Sequence, residues 1–505
     1  MTTINLSLVS HTNVGKTTLV RTLLAQDVGE VRDAAHVTDT ATGYLMLQAG
    51  GDTLMLWDTP GFGDTARLLR RLRASGNPIG WFLGQVWDRF RERALWHSQQ
   101  AVRNVRDHAD VILYLVNAAE DPADAVYVPL EMQVLAWVGK PVVLLLNQLG
   151  APNPDAGDEA ERWRRALADA GVVEGALTLD AFARCWVQEG TLLNTVAPLV
   201  APDKQPAMAE LSRAWQDKNV ARFHQSVAIL AEALAAAATD REEAPERDWR
   251  DRVGEALSMR KEEPAEVRRA MAKLAERLEA GTRRSTERLI DAHGLSGRAT
   301  REVLKRLRDD YAASAPAKEG YAAVLGGLMS GAVGGLAADI AAGGLTLGGG
   351  MLVGGVLGAL GATGAARTYN LARGEDGTGV RWSEAFFSGL VRSALLRYLA
   401  VAHWGRGRGD WAEGEHPSFW QDAIAEVLAP RQATVRAIWD AGKREPAEAL
   451  RRDLERLLSR TAAELLARFY PQARTILAAE LTVADEPRVE AAGPFRADLS
   501  GLAFR

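Results

Sequence analysis

The sequence predicts an α/β domain on a mostly parallel sheet with one antiparallel edge hairpin, followed by a mostly α-helical region. Three observations predict it. A short apolar strand at residues 4–9 runs through a loop at 10–15 into an amphipathic helix from Lys16 to Ala25. Two unbroken apolar runs, Val111 to Val116 and Val142 to Leu146, have the character of parallel strands covered on both faces. From Asp203 onward the chain is Ala-, Arg- and Glu-rich in long helical stretches, broken near Pro245, Pro264 and Pro316, with no strand pattern.

Taken in order, the second and third strands are Tyr44 to Gln48 and Thr53 to Trp57. Only Ala49-Gly50-Gly51-Asp52 joins them, and so short a connection requires an antiparallel hairpin. Residues 66–108 form an insertion in which Ile79, Phe82, Leu83, Val86 and Phe90 recur at helical spacing, an amphipathic helix expected to pack on the first domain or its neighbour. A final strand is expected near Ala176 to Leu179. The first domain therefore covers residues 1–200 and the helical one 201–505.

Within the helical half, residues 320–366 hold 16 of the 47 glycines and one charge, Asp339. Glycines recur every fourth residue at Gly327, Gly331 and Gly335, and again at Gly350, Gly354 and Gly358, so each set lines one helix face and permits close contact. A Gly-rich helical hairpin results, each arm of about 20 residues and long enough to cross ~30 Å of hydrocarbon. Two readings stay open, insertion into membrane lipid and burial inside a soluble helical core.

Composition bounds the function. At about 100–200 residues per domain, 505 residues allow at least two domains, and 47% hydrophobic content excludes chain-wide disorder. A net charge of −5, from 60 Lys+Arg against 65 Asp+Glu, carries no strong nucleic-acid signal. Cys185 is the only cysteine, which excludes an internal disulfide framework and fits a buried thiol in a reducing compartment. The first residues read directly as a strand rather than a leader, so a cytoplasmic protein is expected, peripheral or integral at the inner membrane if the Gly-rich segment meets lipid.

The strongest motif is Ser10-His11-Thr12-Asn13-Val14-Gly15-Lys16-Thr17, between the first strand and the first helix. It matches the phosphate-binding P-loop from its second glycine onward and has Ser10 where the pattern has glycine. Gly15 lets successive backbone N–H groups, from Val14 through Thr18, face phosphate oxygens at a helix N-terminus. Lys16 then reaches the β and γ phosphates, and Thr17 offers its hydroxyl to Mg²⁺. The second motif, Asp58-Thr59-Pro60-Gly61, follows Lys16 by 42 residues and ends the third strand. Asp58 can hold Mg²⁺ through water, and the Gly61 N–H can approach the γ-phosphate. Together with the strand order these motifs specify the Ras-like P-loop NTPase fold. In such a switch a threonine between the two motifs closes on Mg²⁺ and the γ-phosphate; Thr38 is the candidate, with Thr40 as alternative.

Residues 1–200 resemble Era-like and TrmE-like GTPase domains, and the remainder resembles an uncharacterised bacterial helical domain fused to such GTPases. The resemblance implies a switch that binds GTP and GDP, with Lys16, Thr38 and Gly61 serving turnover and Thr17, Thr38 and Asp58 holding Mg²⁺. It also implies that Asn13 helps bind a potassium ion beside the phosphates. Phe62 stands where a glutamine would orient the attacking water, so hydrolysis is expected to be slow. The nearest polar residue, Asp64, reads as a solvated position.

Base recognition departs from the pattern. Where GTPases place Asn-Lys-x-Asp, this chain has Asn147-Gln148-Leu149-Gly150, which loses the carboxylate that accepts two guanine N–H groups and opens an ATPase alternative. Asp180 and Ala181 occupy the slot of a Ser-Ala pair, with Asp180 either reading guanine or capping the next helix. The basic run Arg67, Arg70, Arg71 and Arg73 reads as a solvated helix face, and Trp404 to Gly409 as a loop. The expected function is a slow, Mg²⁺-dependent GTPase switch controlling a helical domain. The alternatives are a nucleotide-driven membrane assembly module with incidental turnover and an ATPase of the same fold.

Overall fold

A computed structural model describes residues 1–12, 14–24, 41–63, 65–73, 79–80, 83, 92–147, 156–179, 185–243, 265–295, 373–374, 377–403 and 418–482. Six strands form the first sheet: β1 (Thr3–Ser10), β2 (Thr42–Ala49), β3 (Asp52–Asp58), β4 (Val111–Asn117), β5 (Val142–Asn147) and β6 (Val173–Thr178). Their order is β2-β3-β1-β4-β5-β6, with only β2 and β3 antiparallel. This is the predicted mostly parallel sheet with an edge hairpin. Every residue of β5 and all but the last of β4 are buried, which is why both read as unbroken apolar runs.

Helices cover both faces. On one lie α1 (Lys16–Leu24), α6 (Trp186–Val196) and the first half of α7 (Gln205–Thr239), meeting Ile4, Leu6, Leu8 and Leu145. On the other lie α2 (Thr65–Leu72), α3 (Arg93–Asp107), α4 (Tyr127–Val138) and α5 (Ala156–Ala166), around Val9, Tyr114, Leu144 and Trp163. Ile79 is buried in that second layer and Leu83 packs on it, so the insertion leans on the nucleotide domain. Phe82, Val86 and Phe90 lie outside the described residues.

The helical half is built from α7, α8 (Ala265–Ala292), α9 (Glu384–Ala402), α10 (Ser418–Leu428), α11 (Gln432–Ala441) and α12 (Ala447–Phe469), among shorter turns. Its core includes Phe223, Leu230, Phe387, Leu399, Leu454 and Leu466. Helix α9 is long and apolar enough to cross a membrane, but 72% of its apolar window is buried inside this core. The Gly-rich segment 320–366 and the stretch Trp404 to Gly409 lie outside the described residues.

The expectation of no strands after Asp203 is corrected. Short strands β7 (Arg241–Glu243), β8 (Arg373–Gly374) and β9 (Gly377–Arg381) form an antiparallel sheet in the order β7-β9-β8. Strands of two to five residues are too short and too polar to show an alternating pattern. They are held instead by tertiary contacts. Arg381 donates to the carbonyls of Ala238 and Trp439, each at 3.1 Å, and its guanidinium lies 4.4 Å from the Trp439 ring centre.

Helix α7 joins the two halves. Ala207, Met208, Leu211 and Trp215 belong to the core beneath the six-stranded sheet, whereas Phe223, Val227, Leu230 and Leu234 belong to the helical core. Thirty-five residues at about 1.5 Å each make one rod of roughly 52 Å shared by both. Its start is fastened by Lys204, whose ammonium bonds both Asp110 oxygens at 2.8 Å and the Thr3 carbonyl at 2.9 Å.

Candidate nucleotide site

The carboxyl ends of β1, β3 and β5 converge on the loop between β1 and α1. This is where parallel sheets open a crevice for ligands. Gly15 has φ +93°, in the left-handed region, and this conformation turns the loop into the first turn of α1. There is also no room for a side chain, since a Cβ on Gly15 would stand 2.9 Å from Asn147 Nδ2.

Lys16 is buried in the first turn of α1. Its ammonium donates to Ser10 Oγ at 2.8 Å and to the His11 carbonyl at 3.2 Å, so the loop wraps the cation. Burial pulls the Lys16 amine down to about 8, against the opposing pull of the Asp58 and Glu131 carboxylates. Ser10, the departure from the glycine pattern, is therefore a ligand of the lysine as well as a tolerated substitution.

Thr17 donates to Asp58 Oδ2 at 2.6 Å, joining α1 to the end of β3. Asp58 is buried, and burial raises its carboxyl above the usual range despite the Thr17 bond and the nearby Lys16 and Arg21. Its other oxygen, Oδ1, is buried without a hydrogen-bond partner among the described residues. A hard divalent cation such as Mg²⁺ takes oxygen donors, commonly one or two carboxylates beside substrate phosphates. The orphaned oxygen beside the Thr17 hydroxyl fits that donor set. No group of three or more His, Cys, Asp or Glu that could hold a metal occurs among the described residues.

Gly61 lies against the same loop, where a Cβ would sit 3.0 Å from Thr12 and 3.1 Å from Lys16 Nζ. The next residue, Phe62, donates its backbone N–H to the Ser10 carbonyl at 2.9 Å and buries its ring completely. Thr59 donates to the Leu8 carbonyl at 2.7 Å, fixing the start of this segment on β1. Asn147, at the end of β5, is buried and donates to the Val14 carbonyl at 2.9 Å, bracing the loop from the end of that strand. Val14 and Thr18 are buried on either side of Gly15 and Lys16.

The structure thus brings together Val14, Gly15, Lys16, Thr17, Thr18, Asp58, Gly61 and Asn147. Asn13, Thr38, Thr40, Asp64, Gln148, Leu149, Gly150, Asp180, Ala181 and Phe182 lie outside the described residues. Of the basic run on α2 and the turn after it, Arg67 pairs with Glu92 at 2.9 Å and Arg73 donates to Gln133 at 2.6 Å. Sequence reasoning missed Glu131, a buried carboxylate on α4 contacting His11, Thr65 and Tyr114. Its one signal is a lone acid within an otherwise uncharged and mostly apolar helix, YVPLEMQVLAWV.

Residues 5–148 match the family model described as 50S ribosome-binding GTPase, and residues 166–465 match one described as Domain of unknown function (DUF3482). No curated protein matches the chain. Among solved structures, Era of Aquifex aeolicus bound to GDP.AlF4- is 18% identical with a TM-score of 0.28, over 40% of this chain and 58% of that one. Toc33 of Arabidopsis thaliana in complex with GDP and Mg2+ is 14% identical with a TM-score of 0.23, over 37% of this chain and 73% of that one. NFeoB of S. thermophilus bound to mGMPPNP is 16% identical with a TM-score of 0.23, over 45% and 70%. The chain spans 58% of the length of the Era structures it matches.

Proposed function

Because the chain belongs to the DUF3482 family and carries a GTPase domain ahead of that region, we propose that it is a guanine-nucleotide switch acting on its own helical half. It binds GTP, hydrolyses it slowly to GDP and phosphate, and returns to the diphosphate state. The observation that carries this reading is the convergence of Lys16, Thr17 and Asp58 around a glycine turn at the sheet's open end, with one Asp58 oxygen unbonded among the described residues.

In this reading Val14 to Thr18 present backbone N–H groups to the phosphates, and Lys16 holds the β and γ oxygens. Thr17, Thr38 and Asp58 would hold Mg²⁺, which when bound supplies positive charge between those phosphates. The Gly61 N–H holds a γ-phosphate oxygen while water attacks phosphorus and the β–γ bridging oxygen leaves with its electron pair on GDP. The completely buried Phe62 ring presents no polar group to that water, which supports slow turnover. Asn13 would help hold a potassium ion beside the phosphates, which when bound would supply positive charge there, so hydrolysis is expected to be faster in potassium than in sodium. By their positions in the sequence, Asn147, Gln148, Asp180 and Ala181 are the residues assigned to base recognition.

Helix α7 supports transmission, since one rigid element is buried in both cores. The helical half engages lipid at the inner membrane face through residues 320–366, whose glycine faces and single charge motivate this. A second reading, an ATPase of the same fold, is favoured by Gly150 standing where guanine's carboxylate partner belongs. Binding of labelled GTP, GDP and ATP with Mg²⁺, in potassium or sodium and with or without liposomes, tests all of this. GTP-selective binding with turnover supports the switch, equal ATP affinity transfers the reading to an ATPase, and no nucleotide binding overturns both. Failure of the full chain to float with liposomes in any nucleotide state removes the lipid contact alone.

A further inference from the structure

Glu131 is fully buried on α4, a helix whose other buried residues, Val128, Met132, Val134 and Leu135, are all apolar. A leucine or methionine would fill that volume without the cost of dehydrating a charge. The carboxylate is instead completely engaged. Oε1 accepts from the Thr65 hydroxyl at 3.0 Å and lies 2.7 Å from His11 Nδ1, while Oε2 accepts from the Tyr114 hydroxyl at 2.5 Å. The His11 ring also lies against Tyr127, with centroids 4.4 Å apart.

These partners are not a random selection of neighbours. His11 belongs to the phosphate loop, and its carbonyl accepts from the Lys16 ammonium. Thr65 opens α2, four residues beyond Gly61, and its hydroxyl lies 3.1 Å from the Gly63 carbonyl. Between them, Phe62 is already tied to Ser10 through its backbone N–H. Tyr114 anchors the carboxylate on the central strand β4. A single rigid group therefore spans the two segments that would grip opposite sides of a γ-phosphate.

We propose that Glu131 is a positioning residue for triphosphate hydrolysis, holding the Lys16 loop and the Gly61 segment at a fixed spacing through His11 and Thr65. This rests on the GTPase reading. Its negative charge also supports the protonated state of Lys16 against burial. Ground-state binding relies on the loop amides and Lys16, which keep their own bonds to Ser10 and His11. Turnover needs both segments in register, and a displacement of about 1 Å costs on the order of 100-fold in rate.

The test measures single-turnover GTP hydrolysis per nucleotide-loaded site in the full chain, together with GTP and GDP dissociation constants. Glu131→Gln is expected to lose about 10- to 100-fold in rate, with both dissociation constants within about threefold of the parent. Thr65→Val should lose rate in the same direction and Thr65→Ser should restore it. The Glu131→Gln, Thr65→Val double variant should be no slower than Glu131→Gln alone, because both remove one link. A merely structural carboxylate would lower thermal stability while leaving the rate per loaded site unchanged. An unchanged rate in Thr65→Val overturns the proposal even if Glu131→Gln fails to fold. A parent chain that neither binds nor hydrolyses GTP overturns the GTPase reading and this proposal with it, whereas a turning-over parent with unaffected variants overturns this proposal alone.

Discussion

Thr17 donates its hydroxyl to Asp58 Oδ2 at 2.6 Å, so the first turn of α1 and the end of β3 are joined at the point where the phosphates of a nucleotide would lie. The neighbouring Oδ1 is buried and unbonded among the described residues. Such an arrangement spends stability on a carboxylate that a cation would satisfy. Asp58→Asn is expected to abolish Mg²⁺-dependent nucleotide affinity while raising the thermal midpoint of the nucleotide-free protein. The sign follows from the raised Asp58 carboxyl: its penalty is absent at low pH and develops as pH rises from the unfolded value of 3.8 through the folded one. Thermal melts from pH 4 to 8 check this, and a midpoint lowered at neutral pH would contradict it.

Burial pulls the Lys16 amine down to about 8. Binding polyphosphate favours the charged amine, so each pH unit above about 8 should weaken nucleotide affinity roughly tenfold, following the ~1.4 kcal/mol per unit that links protonation to binding. Isothermal titration between pH 7 and 10 reads the slope. Lys16→Ala should abolish triphosphate binding, and undiminished affinity in that variant would remove Lys16 from the site.

Gly15→Ala places a Cβ 2.9 Å from Asn147 Nδ2 at a φ of +93°. Left-handed backbone strain alone costs about 1–3 kcal/mol, and the contact with Asn147 adds to it. The variant should lower the thermal midpoint and weaken GDP binding together. Normal affinity with a normal melt would show that the loop does not need this turn.

Lys218 is exposed on α7 between Trp215, buried under the sheet, and Phe223, buried in the helical core. Proline there removes one helical hydrogen bond and kinks the rod, at a cost of about 3 kcal/mol or more. Lys218→Pro should therefore separate one cooperative melt into two transitions while leaving nucleotide affinity unchanged. A single unshifted transition would mean the two cores do not depend on a continuous α7.

The sheet was legible because its signals are local. Unbroken apolar runs at β4 and β5, the four-residue link between β2 and β3, and a glycine-lysine-threonine sequence at the start of α1 each carry their meaning within a few residues. The short strands β7, β8 and β9 were not, because Arg241–Glu243 and Gly377–Arg381 become strands through neighbours supplied from elsewhere in the chain, Arg381 reaching Ala238 and Trp439. The site divided in the same way. The convergence of Lys16, Thr17 and Asp58 was expected from residue type and motif position, whereas Glu131 lies 120 residues from His11 and looks in sequence like a single acid on a mostly apolar helix.

By itself the sequence determined the strand–loop–helix that would hold phosphate, the carboxylate that follows it at the end of β3, and the helical character of the second half. The tertiary structure alone decided that Ser10 grips the lysine, that one buried glutamate ties the phosphate loop to α2, and that α7 is shared by two cores. The physical reason is distance along the chain. Backbone conformation and amphipathic period are set by adjacent residues, but the satisfaction of a buried charge is settled only by groups that folding carries in from elsewhere.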